Sequence, residues 1–262
     1  MVLSGRSGWE IGNYTMTYTH GEVWAVIPAR GGSKGIPNKN LQTVAGIPLV
    51  SRSIRAAAAS ESIDQIIVST DSHSIADLAR KEGADVVIRP TSLALDTASS
   101  ESAVLHAVET TAEISGTEEP EAVIMLQCTS PFLRSFDITA LVSALRDHDC
   151  ALTVTREFGF HWTPNSDGDL VPLGHSVEAP RRRRQDWGGH LLETGAGYSF
   201  RWRQFARHKH RFFGSIGYVE TPPHLSIEID EPWQLALAQC IASSSGGFRH
   251  CRCEQERIDY PE

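Results

Sequence analysis

Residues 23–40 read VWAVIPARGGSKGIPNKN. The first six, Val23–Pro28, form a short continuous apolar run of the kind that makes a strand buried on both faces. The next twelve change character abruptly. Gly31, Gly32 and Gly35 let a backbone approach a ligand closely, and Arg30, Lys34 and Lys39 place three cations within ten residues. Backbone N–H groups and cations after a buried strand suit a polyphosphate. The spacing is neither GxxxxGK[ST] nor GxGxxG, and Pro37 opposes immediate helix formation. An ordinary exposed glycine loop is the bland alternative; the three cations favour phosphate.

Outward from this stretch, short apolar runs alternate with helical periodicity. Strands are expected at 23–28, 65–70, 85–88, 122–126 and 151–155. Helices are expected at 48–60, 72–83, 99–114 and 135–147. Such alternation makes βαβ units and a mainly parallel sheet with helices on both faces, an α/β fold whose ligands bind at the carboxyl ends of strands. The order breaks after Arg156. Residues 157–192, rich in Gly, Pro, His and Arg, read as an excursion. Strand patterns return at 197–200, 215–220 and, more weakly, 225–229, and a helix is expected from Glu231 to Ala242. The expected organisation is an extension at 1–21, one domain at 22–242 with an insert at 157–190, and a tail at 243–262.

Composition narrows the class. In 262 residues, 40% are hydrophobic and 21% charged, which is ordinary globular usage. The net charge of −8 argues against nonspecific nucleic-acid binding, so any local positive cluster is informative. No apolar run approaches the ~18–20 residues of a membrane span, and the first twenty residues lack the apolar core of a secretory signal. Five cysteines without a CxxC pair argue against a disulfide scaffold and make the cytoplasm the expected location. His250, Cys251 and Cys253 do not have zinc spacing.

AVIPARGGSKGIPNKNL (25–41) resembles the signature of the N-acylneuraminate cytidylyltransferases. The likeness continues in IIVSTD (66–71), GADVVIRP and LALDTASSE (83–101), and MLQCTSPFLR (125–134). It extends through RRQDW (183–187), ETGAGYSF (193–200) and SIEIDEPWQL (226–235). The resemblance implies a nucleotide-diphospho-sugar transferase-like sheet with a small dimerisation insert. The reaction would join CMP from CTP to an acidic sugar and release pyrophosphate. Arg30, Lys34, Lys39 and Asn40 would face the triphosphate, with Lys39 stabilising the departing charge. Arg89, Ala98 and Ser100 would form the base pocket, although the DTASS stretch also reads as a helix cap. Gln127 would lie beside the substrate. At least one arginine of 181–184 (Arg181, Arg183 and Arg184 among them) would hold the acceptor's carboxylate. Tyr198 would line the sugar pocket or, equally, belong to the core. Cys128, where the family has proline, reads as packing.

Glu228 and Asp230, at i and i+2, would share one face of a strand and hold Mg²⁺. Asp230 is the safer ligand, because Glu228 stands where the family has aspartate; Glu231 reads as the start of the last helix. Arg30, Lys39 and Asp230 are thus the expected catalytic group. A different acidic acceptor, a phosphonate or another ulosonic acid, keeps the same machinery. A glycosyltransferase using Glu228 and Asp230 as its metal pair and a noncatalytic nucleotide sensor are further alternatives. CTP, an acidic small molecule and a second copy of the chain are the expected partners, with neither nucleic acid nor membrane.

Overall fold

A computed structural model describes residues 22–95 and 97–244. The expected N-terminal extension, most of the tail, the His250–Cys253 cluster and Asp96 lie outside the described residues. In chain order the elements are β1 (Val23–Pro28), β2 (Thr43–Val44), β3 (Ile47–Pro48), α1 (Leu49–Ala58), β4 (Gln65–Thr70), α2 (His73–Lys81), β5 (Asp85–Ile88) and α3 (Ser100–Ser115). They continue as β6 (Ala122–Leu126), α4 (Ser135–Ala144), β7 (Cys150–Glu157), β8 (His161–Pro164), β9 (Leu170–Leu173), β10 (His190–Arg201), α5 (Trp202–His208), β11 (Ile216–Glu220) and α6 (Pro232–Ser243).

Seven strands form one sheet in the order β11-β7-β10-β6-β1-β4-β5. All neighbours are parallel except β10, which runs antiparallel to both β6 and β7. β1 lies between β4 and β6, and its alternate side chains feed opposite cores. Ala25 and Ile27 pack with Leu49 and Ile54 of α1, Ile75 of α2 and Leu141 of α4. Trp24 and Val26 pack with Val104 and Val108 of α3 and Phe205 of α5. This is why the strand reads as unbroken apolar sequence: both faces are covered by helices.

Four expected strands agree with the observed bounds: β1, β4, β5 and β6. Three expectations need correction. The expected strand at 225–229 is absent. Pro223–Leu225 makes a single 3-10 turn, and the extended residues after it join no ladder, because the Ile229 N–H goes to the Thr129 carbonyl (2.8 Å) in a loop. The strand expected at 197–200 begins much earlier, at His190, so the excursion ends inside the main sheet. Gly195 and Gly197 hide it in the sequence; the pairing with β7 shifts register between Glu193 and Tyr198. The helix expected to reach Asp147 ends at Ala144, where the N–H groups of Leu145, Arg146 and Asp147 turn to i−3 carbonyls and tighten the last turn.

The excursion itself contains a hairpin. β8 and β9 pair antiparallel, and the Asn165 side chain closes their turn by accepting from the N–H groups of Asp167 and Asp169 at 3.0 and 2.9 Å.

Candidate active site

A pocket opens at the carboxyl ends of β1, β5 and β6, where the chain order reverses across the sheet. Its floor begins with the glycine loop. The Ala29 N–H donates to Ser69 O (2.9 Å), which extends the β1–β4 pairing, and the Gly31 N–H donates to Asp71 Oδ1 (2.8 Å). A Cβ on Gly31 would come within 2.9 Å of the Ser72 Cβ, so a side chain there would lift the loop off β4's end. Asn40 Nδ2 donates to the Arg30 carbonyl (2.9 Å) and ties the two ends of the loop together. Arg30, Lys39 and Asn40 all line the pocket. Lys34 is exposed and is not part of its wall.

Opposite the loop lies the segment 226–230. Ile229 is fully buried, so the carboxylates on either side of it project the other way, and both Glu228 and Asp230 line the pocket. The i, i+2 reasoning therefore holds for an extended segment that is not a strand. Lys39 Nζ lies 2.8 Å from Asp230 Oδ1. Thr129 Oγ1 donates to Glu228 Oε1 at 3.3 Å. Burial, followed by the negative charge of Asp230, pushes the Glu228 carboxyl above the usual range; Thr129 and Lys39 oppose this, and Glu193 adds to it. Two carboxylates lining one pocket, one of them raised by the other's charge, form a donor set suited to a divalent cation, which takes one or two carboxylates plus phosphate and water oxygens. Glu231 caps α6, as its sequence position suggested, and Gln234 Oε1 accepts from the Asp230 and Glu231 N–H groups at 2.7 Å each.

The third wall runs from Arg89 to Ser100. Arg89 is buried, its Nη2 donates to Ser69 O (2.5 Å), and its Nη1 donates to Leu93 O (3.3 Å). Its Nε has no partner among the described residues, and burial lowers its pKa. Ala98, Ser99 and Ser100 line the pocket, while Ser99 Oγ accepts from the Ser102 N–H (3.1 Å) as the N-cap of α3. Capping and pocket wall are thus the same residues. Gln127 and Cys128 complete the enclosure. Burial pushes the Cys128 thiol up to about 12, and its side chain belongs to the core, so it packs rather than reacts.

Two expected groups lie elsewhere within one chain. Arg181 sits over the Phe160 ring (4.3 Å to its centroid), Arg184 sits over Phe158 (4.5 Å), and Arg183 pairs with Asp186 (2.6 Å), all in the segments flanking the hairpin and off the pocket wall. Tyr198 is 3% exposed and faces the second core cluster, with its hydroxyl donating to the Glu193 carboxylate. Conversely, sequence reading passed over Thr129 and Asp71, although each ends a strand-following motif (LQCT and IIVSTD).

A family model described as Cytidylyltransferase matches residues 24–167. The chain belongs to the cytidylyltransferase family. The chain is 35% identical to N-acylneuraminate cytidylyltransferase A of Danio rerio over 242 residues, 90% of this chain and 54% of the relative. It is 43% identical over 113 residues to the CMP-N,N'-diacetyllegionaminic acid synthase of Legionella pneumophila, covering 42% of this chain and 47% of that protein. It therefore spans about half the length of the curated relatives it matches. Among solved structures, CMP:2-keto-3-deoxy-manno-octonic acid synthetase complexed with CTP superposes with a TM-score of 0.61, covering 85% of this chain and 99% of that one at 18% identity. The 4-diphosphocytidyl-2C-methyl-D-erythritol synthase of Anaerococcus prevotii gives a TM-score of 0.61 at 13% identity, over 85% and 96% of the two chains. The fold is thus the nucleotidyltransferase-like α/β sheet expected from the sequence.

Proposed function

We propose that this protein transfers CMP from CTP to an acidic sugar of the sialic-acid type and releases pyrophosphate. The observation that carries the reading is one pocket with Arg30 and Lys39 on one side, Glu228 and Asp230 opposite, and the Arg89–Ser100 segment at its end. The likeness to N-acylneuraminate cytidylyltransferases supports the acceptor class.

The acceptor's hydroxyl oxygen forms a bond to the α-phosphorus, the bond between that phosphorus and the bridging oxygen of pyrophosphate breaks, and the hydroxyl proton passes to solvent. Such a displacement needs positioning and charge neutralisation more than covalent chemistry. Arg30, the loop N–H groups and Asn40 hold the triphosphate. Lys39 follows the charge as it moves to the leaving group, a task suited to a compact ammonium on a flexible stem. Cytosine presents acceptor atoms at O2 and N3, and the unpartnered Arg89 Nε is a donor on the wall where the base lies. Asp230 and Glu228 would hold a Mg²⁺ ion. When bound, the ion neutralises phosphate charge and polarises the attacking hydroxyl. Lys39 then exchanges Asp230 for phosphate.

The aromatic hairpin supports a dimer. Trp162, Leu170, Leu173 and Val177 are exposed around a Phe160–Trp187 stack. Arg181–Arg184 follow this hairpin, with Arg181 packed on Phe160 and Trp162, so their contact with the acceptor is proposed through a second copy's pocket.

Pyrophosphate release is to be measured with each of the four nucleoside triphosphates against sialic, legionaminic, other ulosonic and phosphonate acceptors. CTP with a nonulosonic acid should be preferred. A nucleotide-sugar donor consumed without CTP turnover would instead establish the glycosyltransferase reading.

A further inference from the structure

We infer that Glu193 is a specificity-determining residue that recognises a hydroxyl or amide N–H of the acceptor, and that Tyr198 and Arg211 position it; the inference rests on the acceptor-transfer reading above.

β10 shifts register against β7 between Glu193 and Tyr198. Irregularities of this kind commonly sit beside active sites and re-aim a side chain. The irregular stretch touches the pocket twice. The Gln127 N–H donates to the Ala196 carbonyl (3.1 Å), and Gly195, at φ +70°, lies so close to Glu228 that an added Cβ would meet both carboxylate oxygens at 3.0 Å. Glu193 is thus two residues from the backbone against which Glu228 rests. Arg89 and Ser100 stand at the proposed base end, so the inference assigns the acceptor to the Glu228 end of the pocket.

The side chain is held there by a chain of contacts. The Tyr198 hydroxyl donates to Glu193 Oε1. The Tyr198 ring lies under the Arg211 guanidinium, 4.4 Å from centroid to cation. Arg211 Nε donates to Glu101 Oε1 (2.7 Å), in the first turn of α3, whose start forms the pocket wall. Packing alone would not require an exposed carboxylate at the outer end of a chain anchored on a part-buried ion pair. Glu193 Oε2 has no partner among the described residues. A carboxylate only accepts hydrogen bonds, and it repels the acceptor's own carboxylate. Glu193 therefore meets a donor group at the other end of the acceptor.

The test uses steady-state pyrophosphate release by the full chain with CTP and N-acetylneuraminate. Glu193→Gln should raise the acceptor KM about tenfold, the usual scale for a lost charged hydrogen bond, while the CTP KM stays within about twofold. Tyr198→Phe should raise the acceptor KM by a smaller factor and add nothing in the Glu193→Gln background. In a set of acceptor analogues each lacking one hydroxyl or the amide, the Glu193→Gln penalty should vanish for one analogue. An unchanged acceptor KM would overturn the inference while leaving the transferase reading intact, as would CTP and acceptor KM values rising together. No turnover by the parent enzyme with any acidic acceptor would overturn both.

Discussion

At the scale of single residues, the site works by distributing charge. Lys39 Nζ already contacts Asp230 Oδ1 at 2.8 Å, and both must find other partners when CTP arrives. Lys39→Ala should therefore lower single-turnover rates at saturating CTP by about 10²–10³-fold, the scale of a lost preorganised charge, while CTP binding weakens much less. Asp230→Asn should abolish most turnover, whereas Glu228→Gln should mainly raise the Mg²⁺ concentration needed and Glu228→Asp should be tolerated. Initial rates against Mg²⁺ concentration check all three, and full activity in EDTA would remove the metal. Cys128 provides a negative control. Its thiol is pushed up to about 12, so it stays protonated throughout the neutral range, and Cys128→Ala should keep most turnover with normal CTP binding. The meeting of Arg30, Lys39 and Asn40 on one pocket wall was legible in the sequence because a loop between a strand and its crossover keeps such groups contiguous. Tyr198 was not: a strand aromatic next to a register shift faces the pocket or the core according to a geometry that periodicity does not record.

At the scale of elements, the glycine loop depends on close approaches. A Cβ on Gly35 would lie 2.4 Å from the Asp230 carbonyl oxygen, so Gly35→Ala must separate the loop from the acidic segment. It should cost roughly 1–3 kcal/mol of stability by overpacking and lower turnover disproportionately, which thermal melts and kinetics together can show. The four strands whose bounds were legible are four to six residues long, and each carries a run of at least three apolar residues between turn signals. The short α5 (WRQFARH) was missed because seven residues span only two turns, too few to show a period. Residues 225–229 have the composition of a strand, but their backbone is committed to the Thr129 loop. A ladder is a property of a neighbour as much as of the segment itself.

At the scale of the whole molecule, the hairpin exposes an apolar and cationic face beyond the sheet, including Trp162 at 38% and Leu173 at 58% exposure. Light scattering at micromolar concentration should give twice the chain mass. If the Arg181–Arg184 run serves a second copy's pocket, mixing Lys39→Ala chains with chains carrying alanine at 181–184 should restore about a quarter of parental activity, since half the dimers then hold one intact site. Neither variant alone should recover on dilution and mixing with itself. The central claim is the chemistry of the pocket between the loop cations and the two carboxylates. It is tested most directly by incubating the full chain with CTP, Mg²⁺ and N-acetylneuraminate and measuring pyrophosphate and CMP-sugar together, the latter by mass. The account predicts the two in equal amounts, with ATP a poor substitute for CTP; CTP left intact in the presence of every acidic acceptor, or ATP used as well as CTP, would contradict it.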